Sequence, residues 1–211
     1  MKRANSTRWL ALWRALGATG DAGPAHRRLL SAYAESHRHY HNLRHIDECL
    51  EELDTARVLA VQPRAIEAAI WFHDVVYDPS SAANEEESAD LAARCLTEAG
   101  AAPALIGEIH ALILATKAHA AEPNTDAALL VDLDLAILGK PPERFEEYER
   151  AIREEYFWVE PEIYGVKRAE ILAGFLARPL LYSTDFFRLK YENSARQNLT
   201  RSLRQLKNLS A

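Results

Sequence analysis

The chain has 211 residues, 48% of them hydrophobic and 27% charged, with 25 Lys and Arg against 31 Asp and Glu and a formal charge of −6. At this length that apolar fraction supports a substantial buried core and excludes disorder for most of the chain. The acidic balance excludes an extended nucleic-acid surface, which needs clustered Lys and Arg, and leaves room for a small anionic ligand held locally.

No segment approaches about 18 uncharged apolar residues, so no membrane partner is expected and the expected location is the cytoplasm. Cys49 and Cys95 fall inside amphipathic patterns, outside any C-x-x-C spacing, and read as small buried residues. In chain order, the apolar spacing is helical almost throughout, and no segment reads as a strand. Trp9, Leu10, Leu12, Trp13 and Leu16 predict a first helix that stops in the stretch Gly17, Gly20, Gly23. Pro24 predicts the first turn of a second helix, ending near Ser36. Asn42 caps a third carrying His45, Ile46, Cys49, Leu50 and Leu53, and Pro63 opens a fourth through Ile66 and Ile70 to His73. After a loop over 78–83, Asn84 reads as an N-cap followed by Glu85, Glu86 and Glu87, and Gly100 closes that helix. Further helices are expected over 103–117, 125–138, 142–156 and 161–176, then a long one from Asp185 to about Leu206 capped by Thr184. Breaks at turn-sized intervals, with no repeat and no long linker, predict one all-α domain over residues 1–211.

Polar residues interrupt the apolar pattern at four places: the run from His39 to His45, the pair His73-Asp74, the segment from His110 to His119, and Asp132-Leu133-Asp134. A His-Asp pair closing the apolar run 68–72 is costly to bury unless the groups satisfy one another by hydrogen bonds or a divalent cation compensates. Imidazole nitrogen with carboxylate oxygen suits Mn, Fe, Co, Ni or Zn. The ligands must come from different helices, because adjacent side chains on one helix point about 100° apart, and helical bundles assemble metal sites in that way.

His45, His73-Asp74 and Asp134 together resemble the pattern of the HD-domain metal-dependent phosphohydrolases, a His, a later His-Asp pair and a distant Asp. The match covers residues 40–139, and it implies an all-α bundle in which 140–211 supplies C-terminal helices packed on that core. The segment Tyr40-His41-Asn42-Leu43-Arg44-His45 is similar to the Tyr-His-Asn-x-x-His signature of class I cyclic-nucleotide phosphodiesterases. There the second His binds metal and the first protonates the leaving oxygen. His41 and His45 would share a helix face if the helix already includes His41. Val131 to Ala136 resembles the Ala-Asp-Arg-Leu stretch of other HD proteins, with Asp134 in the ligand position and Asp132 pointing elsewhere. Phosphodiesterases continue His-Asp-x-x-His toward a second metal, whereas Tyr77 stands at that position here.

The resemblance implies hydrolysis of a phosphate ester or anhydride, of a nucleotide or related small metabolite, by a metal-activated water. His45, His73, Asp74 and Asp134 would hold a divalent ion (Mn, Fe, Co, Ni, Mg or Zn). Asp74 would also orient the attacking hydroxide, and His41 would protonate the leaving oxygen. Asn84, Glu85 and Glu86 fall where HD relatives line the site with acidic residues, although a cap followed by dipole-favoured carboxylates has the same composition. His119, at a helix end where an imidazole is stabilising in its own right, is a candidate site residue alongside Glu85. Two other readings stay open: a binuclear-iron HD-type oxygenase drawing on spare His and carboxylate groups, and a non-catalytic module that binds a nucleotide. Trp71, Tyr77, Arg196 and Asn198 read as packing or surface groups, and the charged run 143–155 as a solvated helix face. The Trp-rich first helix and the long last helix offer apolar faces for a homodimer.

Overall fold

Proline sets much of the architecture. A computed structural model describes residues 4–119 and 125–209, and five helices in it carry Pro in the first turn, where the missing N–H costs nothing. The helices are α1 (Ser6–Ala15), α2 (Gly23–Ala32), α3 (Leu43–Ala56), α4 (Pro63–Phe72), α5 (Asn84–Glu98), α6 (Pro103–Ala118), α7 (Asp126–Asp134), α8 (Pro142–Glu155), α9 (Pro161–Ala177) and α10 (Asp185–Leu209). Two 3-10 turns follow α3 and α7, over Arg57–Leu59 and Leu135–Gly139. Among the described residues there is no strand, so the chain is all-α, as the spacing predicts. No helix of the described residues is long and apolar enough to cross a membrane.

The core is organised around α4, whose residues from Ala65 to Phe72 are all buried. A helix apolar on every side must be covered on every side, and α4 is covered by α1, α3, α5, α6 and α7. Its C-terminal end therefore delivers the His73-Asp74 pair into the interior. Asn42 and Thr125 cap α3 and α7 as their sequence positions suggest, accepting from the backbone N–H groups of Arg44 and Ala128. Behind α4, α10 buries Phe187, Tyr191, Ala195 and Leu199, four apart, against α9 and the turn Leu135–Gly139. Gly139 is required there: a Cβ built on it would lie 2.5 Å from Tyr191 Cβ.

Several expectations are corrected. The second helix stops at Ala32, four residues before Ser36, because Ala34, Glu35 and Arg38 take up tight turns that bring the Arg38 side chain inside. Asn84 is the first residue of α5 and does not cap it. Its side chain instead accepts from Asp78 N (2.9 Å) and donates to Asp78 O (2.9 Å), closing the loop between the His-Asp pair and α5. Trp9 and Trp13 are buried in the core, which leaves Leu10 as the exposed large apolar residue of α1, so the Trp face of that helix is used within the chain. Cys49 is buried as read from the sequence, while Cys95 is only partly so.

Candidate metal centre

Four side chains from α3, α7 and the C-terminal end of α4 converge at the floor of a cavity of about 440 Å³. His45 is the third residue of α3, His73 caps α4, Asp74 follows it, and Asp134 ends α7. His45 Nε2 lies 3.1 Å from His73 Nε2, 3.1 Å from Asp134 Oδ1 and 3.5 Å from Asp74 Oδ2. His73 Nε2 lies 3.1 Å from Asp74 Oδ2 and 3.6 Å from Asp134 Oδ1. Nitrogen and oxygen ligands about 2.1 Å from one cation stand roughly 3.0 Å apart at right angles and roughly 3.4 Å apart at tetrahedral angles. The spacings that involve His45 and His73 match that pattern.

The donor chemistry also fits a cation. His73 Nδ1 faces Ile70 O at 3.0 Å, a bond that only an N–H on Nδ1 can make, and that leaves Nε2 in the neutral ring with its lone pair directed inward. Both imidazoles are 2% exposed, so water does not readily compensate them. In the ion-free charge balance, burial opposes ionisation of both carboxylates. The surrounding imidazoles outweigh it and hold Asp74 and Asp134 well below the usual carboxylate range. Burial likewise opposes a charged His73, and the two carboxylates reverse it, raising its pKa well above the ordinary value. Within the described residues, His45, His73 and Asp74 form one grouping able to hold a metal ion, and His45, Cys49 and Asp134 form another. Cys49 Sγ lies 3.7 Å from His45 Nδ1, and burial pushes its thiol pKa well up.

His41 reaches the site differently from the sequence expectation. Asn42 caps α3, so His41 precedes the helix and does not share a turn of it with His45. The buried Glu155, at the end of α8, fixes it from the other side. Glu155 Oε2 lies 2.6 Å from His41 Nδ1 and accepts from Tyr77 Oη at 2.8 Å, while Oε1 accepts from the backbone N–H groups of His39, Tyr40 and His41. Burial opposes a charged imidazole, but the Glu155 hydrogen bond and the field of Asp74 raise the His41 pKa above its ordinary value. Burial would raise Glu155 too, yet the same hydrogen bond and the backbone donors bring it down to about 2. The His41 ring also stacks on Tyr77, centroids 4.2 Å apart.

Arg38 joins the two motifs. Its buried guanidinium donates to Asp74 O (2.5 Å), Val75 O (3.0 Å) and His41 O (3.2 Å), fastening the His-Asp turn to the His41 loop. His119 ends α6 in the left-handed conformation, φ 45°, uncommon outside glycine and Asn. Its Nε2 lies 3.3 Å from Asp134 Oδ2, and Arg178 Nη1 donates to its carbonyl at 2.7 Å. Glu85 lines the cavity with Asn84, whereas Glu86 turns away to pair with Lys117. His110 pairs with Asp90 away from the site. Asp132 points elsewhere, as expected, and accepts from Ser183 N, Thr184 N and Thr184 Oγ1.

Glu155, Arg38 and Tyr77 are what sequence reasoning missed. Glu155 corrects the reading of 143–155 as wholly solvated, and a signal for it existed: Phe145, Tyr148, Ile152 and Glu155 follow a 3-4-3 spacing that puts the carboxylate on the buried stripe of α8. Tyr77 corrects the reading of that residue as packing or surface, because it lines the cavity and binds Glu155. No protein-family model matches this chain, and neither a curated protein nor a solved structure matches it.

Proposed function

We propose that this chain is a metal-dependent phosphohydrolase of the HD type, acting on a phosphate ester or anhydride of a small metabolite such as a nucleotide. The observation that carries the reading is the grouping of His45, His73 and Asp74, spaced as ligands of one cation, with Asp134 3.1 Å from His45 Nε2 and both aspartates lining the cavity. A divalent ion held there would lower the pKa of a bound water toward neutrality and polarise a phosphoryl oxygen.

The chain's own groups supply the rest. His41, with Nδ1 engaged by Glu155, carries its second ring nitrogen as the proton donor for the leaving oxygen, and the Glu155 hydrogen bond, which raises its pKa, favours the protonated ring. Asp74 belongs to both the donor set and the cavity wall, which suits it to orient the attacking water. His119 contacts the second oxygen of Asp134 and keeps that carboxylate from rotating, a supporting contact of the kind that tunes metal affinity. Glu85 lines the cavity and would contact substrate.

Elemental analysis of protein purified without a metal-affinity tag tests the reading, with Asp74→Ala alongside and circular dichroism to check the helices. About one divalent ion per chain, lost in the variant together with phosphate release, supports it. Turnover retained in the variant overturns it. Two irons per chain with oxygen consumption would replace it with the oxygenase reading, and nucleotide binding without product after incubation with Mn, Co, Ni and Mg with the binding module.

A further inference from the structure

We infer that the cavity takes a phosphate monoester whose alcohol part is a flat aromatic or bulky apolar body, and discriminates against polyphosphates. This inference rests on the hydrolase reading above and narrows its substrate class. Two chemically distinct sets of side chains line the cavity: the polar Asp74, Asp134, His41 and His119, and the apolar or aromatic Trp158, Tyr164, Ile171 and Phe175, with Phe175 edge-on to His119 at 6.2 Å between centroids. Trp158 and Ile171 are 55% and 50% exposed, apolar surface left in water at the mouth of a concave site. An apolar ligand body is what such a wall covers favourably, and tyrosine and tryptophan offer faces for a flat ring.

The charge inventory sets the other half of the specificity. Apart from histidines, the described residues lining the cavity include two cations, Lys167 and Arg168. Arg168 is buried and already bound by Glu149 and by Tyr148 Oη. Lys167, its side chain 69% exposed, pairs with Glu170 at 2.9 Å. Against them stand three lining carboxylates, Asp74, Asp134 and Glu85. Residues 120–124, which follow His119, contain no Lys or Arg. Recognition of a di- or triphosphate calls for free Arg or Lys donors to meet its additional charge. With Lys167 and Arg168 already paired, the described lining offers a second phosphoryl group no free Arg or Lys.

The reaction then forms a bond from water oxygen to phosphorus and breaks the bond from phosphorus to the alcohol oxygen. The alcohol leaves with the His41 proton, and the proton lost by the attacking water returns to His41 through solvent. The products are the free alcohol and inorganic phosphate.

The test uses the Mn-loaded full chain and measures phosphate release from 1-naphthyl phosphate, glycerol 3-phosphate, AMP and ATP. In parallel, 1-naphthylmethylphosphonate, which cannot be hydrolysed, is scored by the shift it produces in melting temperature. The expected kcat/KM is at least tenfold higher for 1-naphthyl phosphate than for glycerol 3-phosphate, and at least tenfold higher for AMP than for ATP. Trp158→Ala and, as a second exposed-wall variant, Ile171→Ser should lower the first ratio and shrink the phosphonate shift. ATP or glycerol 3-phosphate cleaved as well as its counterpart overturns this inference and leaves the hydrolase reading standing. No release from any of the four, with no phosphonate shift, overturns both.

Discussion

Glu155 Oε2 and His41 Nδ1 lie 2.6 Å apart although 114 residues separate them in the chain. The carboxylate is fully buried, and among the described residues it is compensated by His41, the Tyr77 hydroxyl and three backbone N–H groups. That arrangement ties the proposed acid-donor role to the ionic pair and gives the pair a definite pH signature.

The His41 pKa is raised on folding, so its contribution to stability is complete below the unfolded value near 6.5 and is lost as pH climbs through the higher folded value. The Glu155 pKa falls from 4.5 to about 2, so its contribution is complete above 4.5 and is lost as pH falls toward 2. Both are present together between those unfolded values. Glu155→Gln should therefore cost about 3 kcal/mol at a pH between them, and the difference from wild type should narrow in acid and in base. Urea denaturation at three pH values measures it; a difference that is the same at all three would show that the pair is not ionic.

The two groupings able to hold a metal ion share His45 but differ in the third donor. Cys49→Ala removes the thiol from the second while sparing His73 and Asp74. With the ion on the first grouping, the variant retains its metal and loses about 1 kcal/mol for the small space left behind. Elemental analysis showing an empty Cys49→Ala protein would move the ion to the Cys49 side.

Two aspartates two residues apart carry opposite expectations. Asp132 is completely buried and serves three donors at the start of α10, Ser183 N, Thr184 N and Thr184 Oγ1. Asp132→Ala strands them and should cost roughly 2 to 4 kcal/mol, lowering the melting temperature with metal content unchanged. Asp134→Ala should abolish metal binding. Thermal denaturation and elemental analysis on both variants separate a structural carboxylate from a ligand.

Glu52, on α3, is buried and receives Lys140 Nζ (2.5 Å), Lys190 Nζ (2.6 Å) and Tyr191 Oη (2.5 Å), linking α3 to α10. Burial would raise its pKa, but these partners lower it below 4.5. The stabilisation is complete above 4.5 and fades as pH drops through the lower folded value. Glu52→Ala leaves two lysines facing a partly buried gap and should cost roughly 3 to 5 kcal/mol at neutral pH. Guanidinium denaturation reads this directly, and a loss under 1 kcal/mol would contradict it.

Much of the fold and the donor set was legible in the sequence. Pro24, Pro63, Pro103, Pro142 and Pro161 mark helix starts because their chemistry is local, and Asn42 and Thr125 cap for the same reason. His73-Asp74 stood out because charge closing an apolar run carries a desolvation cost that must be met somewhere, and His45 and Asp134 were singled out by the resemblance to the HD pattern. The sequence by itself thus determined the all-α class and most helix starts, and it pointed to the four proposed donors. Only the tertiary structure decided what faces them. Arg38 joining the Asp74 and His41 carbonyls, and Tyr77 and Glu155 gripping His41, depend on segments far apart in the chain. Periodicity reports which side of a helix is buried; which groups meet there is set by how the helices pack, and a hydrogen bond spanning 114 residues leaves no trace in local spacing.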